Sequence, residues 1–161
     1  SLVAEGYKDL LKKHTVDVEV IAGTATAGIP HATSLADLLQ VPLIYVRSTA
    51  KSHGMGNKIE GILKKNQRVL VIEDLISTGG SAVNAVTAIR EAGGIVNHCF
   101  SIFSYGFPEA SEKFKGISCQ NDSILVFAEL LKIAQLTKHI SLNDIKTLQS
   151  WQKNPFNWKS G

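Results

Sequence analysis

The chain has 161 residues, 44% of them hydrophobic and 19% charged, with 17 Lys and Arg against 14 Asp and Glu. That composition describes one globular domain with a core of its own and excludes a disordered or collagenous segment. No apolar stretch approaches the roughly 20 residues of a membrane span. The net charge of +3 suits an anionic small molecule and is too weak for a nucleic-acid binder.

In chain order, Leu2, Val3, Gly6, Tyr7, Leu10 and Leu11 share one face at helical spacing and predict a helix over residues 2–14. Val16–Ile21 alternates and is β-branched, predicting a strand. A glycine-bounded turn, Gly23–Gly28, leads into a helix over Ile29–Gln40, with Pro30 tolerated in the first turn. Val41–Val46 is a second strand. Arg47–Gly61 is long and polar, with little apolar content, and is expected to be a binding loop. Arg68–Ile72 is a continuous apolar run, typical of a strand buried on both faces. Glu73–Ser81 is expected as a loop, Ala82–Ala92 as a helix stopped by Gly93-Gly94, and Ile95–Phe103 as a strand. Pro108–Lys115 predicts a short helix and Ile117–Cys119 a weak strand. Ser123–Gln135 and Ser141–Lys153 predict helices, the second opening near a capping box, and Asn154–Gly161 is irregular.

Strands alternating with helices predict an α/β fold: a parallel, Rossmann-like sheet with helices on both faces, in a single domain over residues 1–161. Cys99 and Cys119 have no CxxC spacing and read as reduced thiols of a cytoplasmic protein. The chain opens Ser1-Leu2-Val3 and its single Met is Met55, so further residues are expected ahead of Ser1 in the natural protein. His14, His31, His98 and His139 share no metal-ligand spacing, and no metal ligand is assigned directly. Trp151, Phe156 and Trp158 read as packing anchors.

Ligands of parallel sheets bind beyond the carboxyl ends of the strands, and three segments fall there. In Glu73-Asp74-Leu75-Ile76-Ser77-Thr78-Gly79-Gly80-Ser81, an apolar strand ends in two carboxylates and small residues then enter a helix. Backbone N–H groups of Thr78–Ser81 can converge on an anion. The acids would repel a phosphate but suit hydroxyl groups a few ångströms away, so a ribose phosphate matches both halves. In the second segment, Gly23 and Gly28 have Walker A spacing, but Ile29-Pro30 follows in place of Lys-Ser/Thr, so the nucleotide P-loop fails. An anion-binding turn and a plain β–α turn read equally well there. In the third, Arg47, Lys51 and His53 stand on a Gly-bearing polar loop able to neutralise a polyanion, with a solvated basic loop as the alternative.

The acid pair followed by Thr-Gly-Gly-Ser resembles the phosphoribosyl-pyrophosphate (PRPP) signature of type I phosphoribosyltransferases. The Arg-x-x-x-Lys-x-His-Gly pattern ahead of it resembles the lid of orotate phosphoribosyltransferases. The resemblance implies transfer of ribose 5-phosphate from PRPP to orotate, giving orotidine 5′-monophosphate and pyrophosphate in pyrimidine nucleotide synthesis, with Mg2+ accompanying PRPP. It implies PRPP contacts from Arg47, Lys51, His53, Glu73, Asp74, Leu75, Ile76, Ser77, Thr78, Gly79, Gly80 and Ser81. Lys51 and His53 become catalytic groups on the pyrophosphate, and His53 is a candidate general acid. Ser77 becomes an orotate contact and Thr24, Ala25, Thr26 and Ala27 the pyrophosphate loop. A homodimer with the lid shared across subunits is implied as well, with no nucleic-acid or membrane partner. The alternatives are a PRPP-binding regulator without turnover and a purine phosphoribosyltransferase.

The chain departs from that pattern in four places. Ser48 stands where many relatives carry a second basic residue, Ala27 where some carry Lys, and Ser104-Tyr105-Gly106 where others place an Arg. The family's N-terminal Ser-Gly-x-x-Ser-Pro-x-Tyr stretch has no counterpart, which suggests truncation at the N-terminus.

Overall fold

Alternation along two central strands divides the interior in two. The computed structural model, which describes residues 1–48 and 58–158, gathers Val20, Ala22, Val69 and Val71 into one apolar cluster and Ile21, Leu70 and Ile72 into another. Successive side chains of a strand point to opposite faces, so the clusters lie on either side of a single sheet. Its strands are β1 (Val20–Thr24), β2 (Leu43–Val46), β3 (Ile59–Glu60), β4 (Arg68–Ile76), β5 (Ile95–Ser104) and β6 (Gln120–Val126). Their order is β3-β2-β1-β4-β5-β6. All neighbours pair in parallel except β3, which runs antiparallel to β2.

Helices cover both faces, as the alternation of elements predicts. One face carries α1 (Leu2–Lys13) and α2 (Gly28–Leu39), which bury Tyr7, Leu10, Leu11, Ala32 and Leu35 against β1, β4 and Phe100 of β5. The other carries α3 (Gly80–Glu91) and α4 (Pro108–Gly116), which bury Ala82, Ala85, Val86, Ile89, Ala110 and Phe114. After β6 the chain forms α5 (Phe127–Leu136) and α6 (Leu142–Lys153). Ser141 and Asp144 close a reciprocal capping box at the start of α6. Trp151 of α6 packs edge-on against Tyr105 and Phe127, with ring centroids 5.5 Å apart in each case. Trp151 is therefore the packing anchor its position suggests.

Four segments differ from the sequence reading. The first strand begins at Val20 instead of Val16: Val20 to Gly23 pair with β4 and Ile21 to Thr24 with β2, and the strand is buried throughout. The fourth strand continues through the acids to Ile76, because β5 supplies partners opposite Glu73, Leu75 and Ile76. Ile59–Glu60, expected inside a loop, is a short edge strand on β2. The stretch read as a weak strand around residue 117 and a helix from Ser123 is the strand β6 followed by α5 from Phe127. This edge strand opens Gln-Asn-Asp, and its apolar residues Ile124, Leu125 and Val126 run without a break into Phe127 and Ala128 of α5, so strand and helix read as one helical segment. Register puts Ser123 beside Ser101, and the two hydroxyls lie 2.6 Å apart.

From β1 the chain moves outward to β2 and β3, then returns to β4 on the other side of β1. The strand order reverses between β1 and β4, and in doubly wound sheets the ligand crevice opens outside the carboxyl ends of such a pair. Those ends are Thr24 and Ile76.

Candidate active site

Glu73 organises this crevice. Parallel register sets Gly23 beside Ile72, which brings Thr24 next to Glu73. The Glu73 side chain is buried, at 5% exposure, and its oxygens are engaged by protein donors. Thr24 Oγ1 donates to Oε1 at 2.5 Å, the Asp74 N–H to Oε1 at 3.2 Å and Ser81 Oγ to Oε2 at 3.0 Å. The Glu73 carbonyl accepts the buried Tyr7 hydroxyl of α1 at 2.9 Å. Burial pushes the Glu73 carboxyl above its ordinary value, with the neighbouring Asp74 carboxyl adding to the effect and the Thr24 and Ser81 hydroxyls opposing it. Glu73 thus ties the end of β1 to the start of α3. Of the two acids read as facing ligand hydroxyls, Glu73 is buried with its carboxylate held by protein donors, whereas Asp74 is only partly buried.

The turn between β1 and α2 is built for close approach. A Cβ on Gly28 would lie 2.5 Å from Thr24 Oγ1 and 2.6 Å from the Ile72 carbonyl oxygen. The Ala25–Thr26 peptide is cis, and the Ala25 N–H is held by the Val46 carbonyl at 2.8 Å. Thr26 and Ala27 are exposed.

The start of α3 has the geometry of a turn that could meet an anion. Its N-cap is Gly79 in the left-handed region at φ 76°, with no side chain capping the helix. The first-turn N–H groups of a helix have no partner further back along it, and these carry the positive end of the helix dipole. Ser77 Oγ accepts the Thr78 N–H at 2.6 Å, while Ser81 is exposed. Leu75 is 39% exposed, whereas Ile76 is 1% exposed and its side chain belongs to the core. The Ile76 carbonyl accepts the Tyr105 N–H at 3.1 Å.

Between these two loops lies a cleft of about 270 Å³ walled by Thr24, Ala25, Arg47, Ser48, Lys58 and Ser81, with Val46, Asn84 and Ala85 completing it. Both charged residues among them are basic. Arg47 sits just past β2, its N–H bound to the Lys58 carbonyl at 2.8 Å and its Nη1 3.4 Å from Glu60. The structure thus brings Arg47, Thr24, Ala25 and Ser81 together as the sequence reading proposed. Lys51 and His53 lie outside the described residues. Tyr7, Lys58 and Asn84 were missed. Tyr7 reads as one more residue of an apolar helix face, and nothing in its spacing marks Lys58. Among the described residues no group of three or more His, Cys, Asp or Glu could hold a metal ion. Cys99 and Cys119 are free and buried, and burial pushes the Cys119 thiol up to about 11, which suits neither for nucleophilic work.

A model of the phosphoribosyl transferase domain matches residues 2–128. An orotate phosphoribosyltransferase of Listeria monocytogenes is 44% identical over 156 residues, covering 97% of this chain and 75% of its own. One of Bacillus subtilis is 47% identical over 153 residues, covering 95% and 71%. The structure of an orotate phosphoribosyltransferase from Aeropyrum pernix superposes with a TM-score of 0.75 at 26% identity, covering 84% of this chain and 75% of that one. An adenine phosphoribosyltransferase at 19% identity, TM-score 0.67, shares the fold.

Proposed function

This chain belongs to the phosphoribosyl transferase domain family, and on that premise we propose that it is an orotate phosphoribosyltransferase. It transfers ribose 5-phosphate from PRPP to orotate, giving orotidine 5′-monophosphate and pyrophosphate in pyrimidine biosynthesis. The observation that carries this is the crevice between β1 and β4, where an acid pair, an uncapped helix start and a cationic cleft converge in a chain 44% identical to named orotate phosphoribosyltransferases. The purine-enzyme and regulator alternatives are not favoured, since the relatives at 44% and 47% identity are named orotate phosphoribosyltransferases and the adenine neighbour is similar in fold alone.

In this reading the N–H groups from Thr78 to Ser81 take the 5-phosphate, and Asp74 takes the ribose hydroxyls. Thr24–Ala27 and Arg47 take the pyrophosphate, together with Lys51 and His53 by the family pattern. Ser77 contacts orotate. The C1–O bond to pyrophosphate breaks as a bond from C1 to the orotate ring nitrogen forms, so positive charge develops on the sugar and negative charge on the leaving group. Cations placed around the leaving group stabilise that separation, and such electrostatic terms usually dominate. His53 can give a proton to the departing pyrophosphate.

Asp74, partly buried near the carboxyl end of β4, offers a single carboxylate, and no described cage of acids surrounds it. That donor set fits Mg2+, which favours one or two carboxylates plus substrate phosphates. When bound, Mg2+ would add positive charge on the leaving pyrophosphate. We further propose a homodimer in which the lid segment serves the partner's site, and a cytoplasmic location supported by the two free thiols.

Orotate consumption in the presence of PRPP and Mg2+ tests the activity, with adenine and hypoxanthine as competing bases. Lys51→Ala and His53→Ala should lower turnover about 100-fold with a smaller effect on PRPP affinity. Consumption of a purine and not of orotate would overturn the substrate assignment.

A further inference from the structure

Lys58 immediately precedes β3, the edge strand that the sequence does not announce. Pairing of Val46 with Ile59, continued by the Arg47 N–H on the Lys58 carbonyl at 2.8 Å, sets the two basic residues abreast at the end of β2. Both line the cleft of about 270 Å³ that also holds Thr24 and Ala25 of the pyrophosphate turn. Their electrostatic situations differ. The Arg47 guanidinium is 3.4 Å from the Glu60 carboxylate, which answers part of its charge. Ser48, at the position where many members of the family carry a second cation, contributes only a hydroxyl. No described carboxylate makes an ion pair with Lys58. Among the described lining residues no acid opposes it across the cleft.

We propose that Lys58 binds the pyrophosphate group, supplying from the start of β3 the positive charge that Ser48 does not bring. The inference rests on the proposed function, because it takes the diphosphate of PRPP and the pyrophosphate product as the ligands of this cleft. A lysine is a compact charge on a flexible stem with three donors, suited to follow an anion whose charge grows as its bond to C1 breaks. Its exposed position lets it reach the ligand without a cost to the core.

The test measures pyrophosphate binding by calorimetry and steady-state kinetics on the full chain for Lys58→Met, Lys58→Arg and Lys58→Met combined with Ser48→Lys. Loss of one charge-assisted contact should weaken pyrophosphate and PRPP about tenfold, with the KM for orotate and the melting temperature unchanged. Lys58→Arg should keep most of the affinity, and Ser48→Lys should restore it in the Lys58→Met background. Pyrophosphate affinity within twofold of wild type in Lys58→Met, while Arg47→Ala weakens it, would overturn the role of Lys58 and leave the proposed function standing. A wild-type chain that binds neither pyrophosphate nor PRPP would overturn both.

Discussion

Thr24 and Glu73, forty-nine residues apart in the chain, meet through a 2.5 Å hydrogen bond that joins the end of β1 to the second half of β4. The bond lies at the point where the strand order reverses, and Ser81 of α3 completes it from the other side. One carboxylate therefore ties the turn after β1 to the start of α3.

Replacing Thr24 by Val keeps the shape and removes the donor, leaving a buried carboxylate short of a partner. Such a loss should lower stability by about 1–3 kcal/mol, read as a lower urea midpoint with an unchanged slope. An unchanged midpoint would mean that Glu73 is satisfied without Thr24. Glu73→Gln should be milder, since the amide carbonyl can still accept from one hydroxyl.

Asp74 has a different part. Its neighbour is locked in the protein, so in the proposed function Asp74 is the acid left to meet the ribose hydroxyls. Ligand that binds only the folded chain stabilises it by mass action, and saturation at 100 times Kd amounts to about 2.7 kcal/mol. For a chain of this size that is a rise in melting temperature of roughly 5–10 °C. Asp74→Asn should remove most of the rise given by PRPP with Mg2+ while leaving the ligand-free melting temperature in place. A full rise in the variant would exclude the acid from the PRPP site.

The legible parts of the sequence were those where pattern and chemistry coincide. The run from Val69 to Ile72 announces a strand buried on both faces, and the acids and glycines after it announce a site. Strand β6 was illegible because Gln120-Asn121-Asp122 looks like a loop and the apolar residues Ile124 to Val126 run straight on into Phe127 and Ala128 of α5, which hides the break between strand and helix. The extent of β4 was hidden for another reason: whether Glu73 is in a strand depends on Ser101, its partner on β5. Burial of Glu73 follows from Thr24 and Ser81 arriving from distant segments, and no local pattern encodes that. Likewise Lys58 gains its place at the cleft from pairing with β2, which polar loop composition conceals.

Asp122 predicts a pH dependence remote from the site. Burial raises its carboxyl, but hydrogen bonds from Lys13 and His14, each 2.7 Å away, and from the Ser123 N–H outweigh this and hold it below the usual value of 3.8. Between the folded and unfolded values the unfolded chain binds more protons, so the stability due to these contacts is complete above about pH 4 and is lost as pH falls through the folded value. Asp122→Asn should cost roughly 0.5–1 kcal/mol at neutral pH after solvent screening. The difference between wild type and variant should shrink as pH drops below about 4. A difference that stays constant down to pH 2 would show that the pair does not set it.

Two glycines separate folding from binding. At Gly28 a methyl group would lie 2.5 Å from Thr24 Oγ1 and 2.6 Å from the Ile72 carbonyl oxygen, which is backbone of a central strand and cannot step aside. Gly28→Ala should therefore cost about 1–3 kcal/mol by overpacking and displace Thr24 from Glu73. At Gly80 nothing lies within 4 Å of the same methyl group, and the backbone is outside the left-handed region. Gly80→Ala should leave stability within about 0.5 kcal/mol of wild type. The added methyl stands in the first turn of α3, against the N–H groups assigned to the 5-phosphate. The rise in melting temperature given by PRPP should fall in Gly80→Ala while the ligand-free value holds. Retention of the full PRPP effect would place the phosphate away from α3, and an unchanged ligand-free melting temperature in Gly28→Ala would contradict the close approach of the turn to β4.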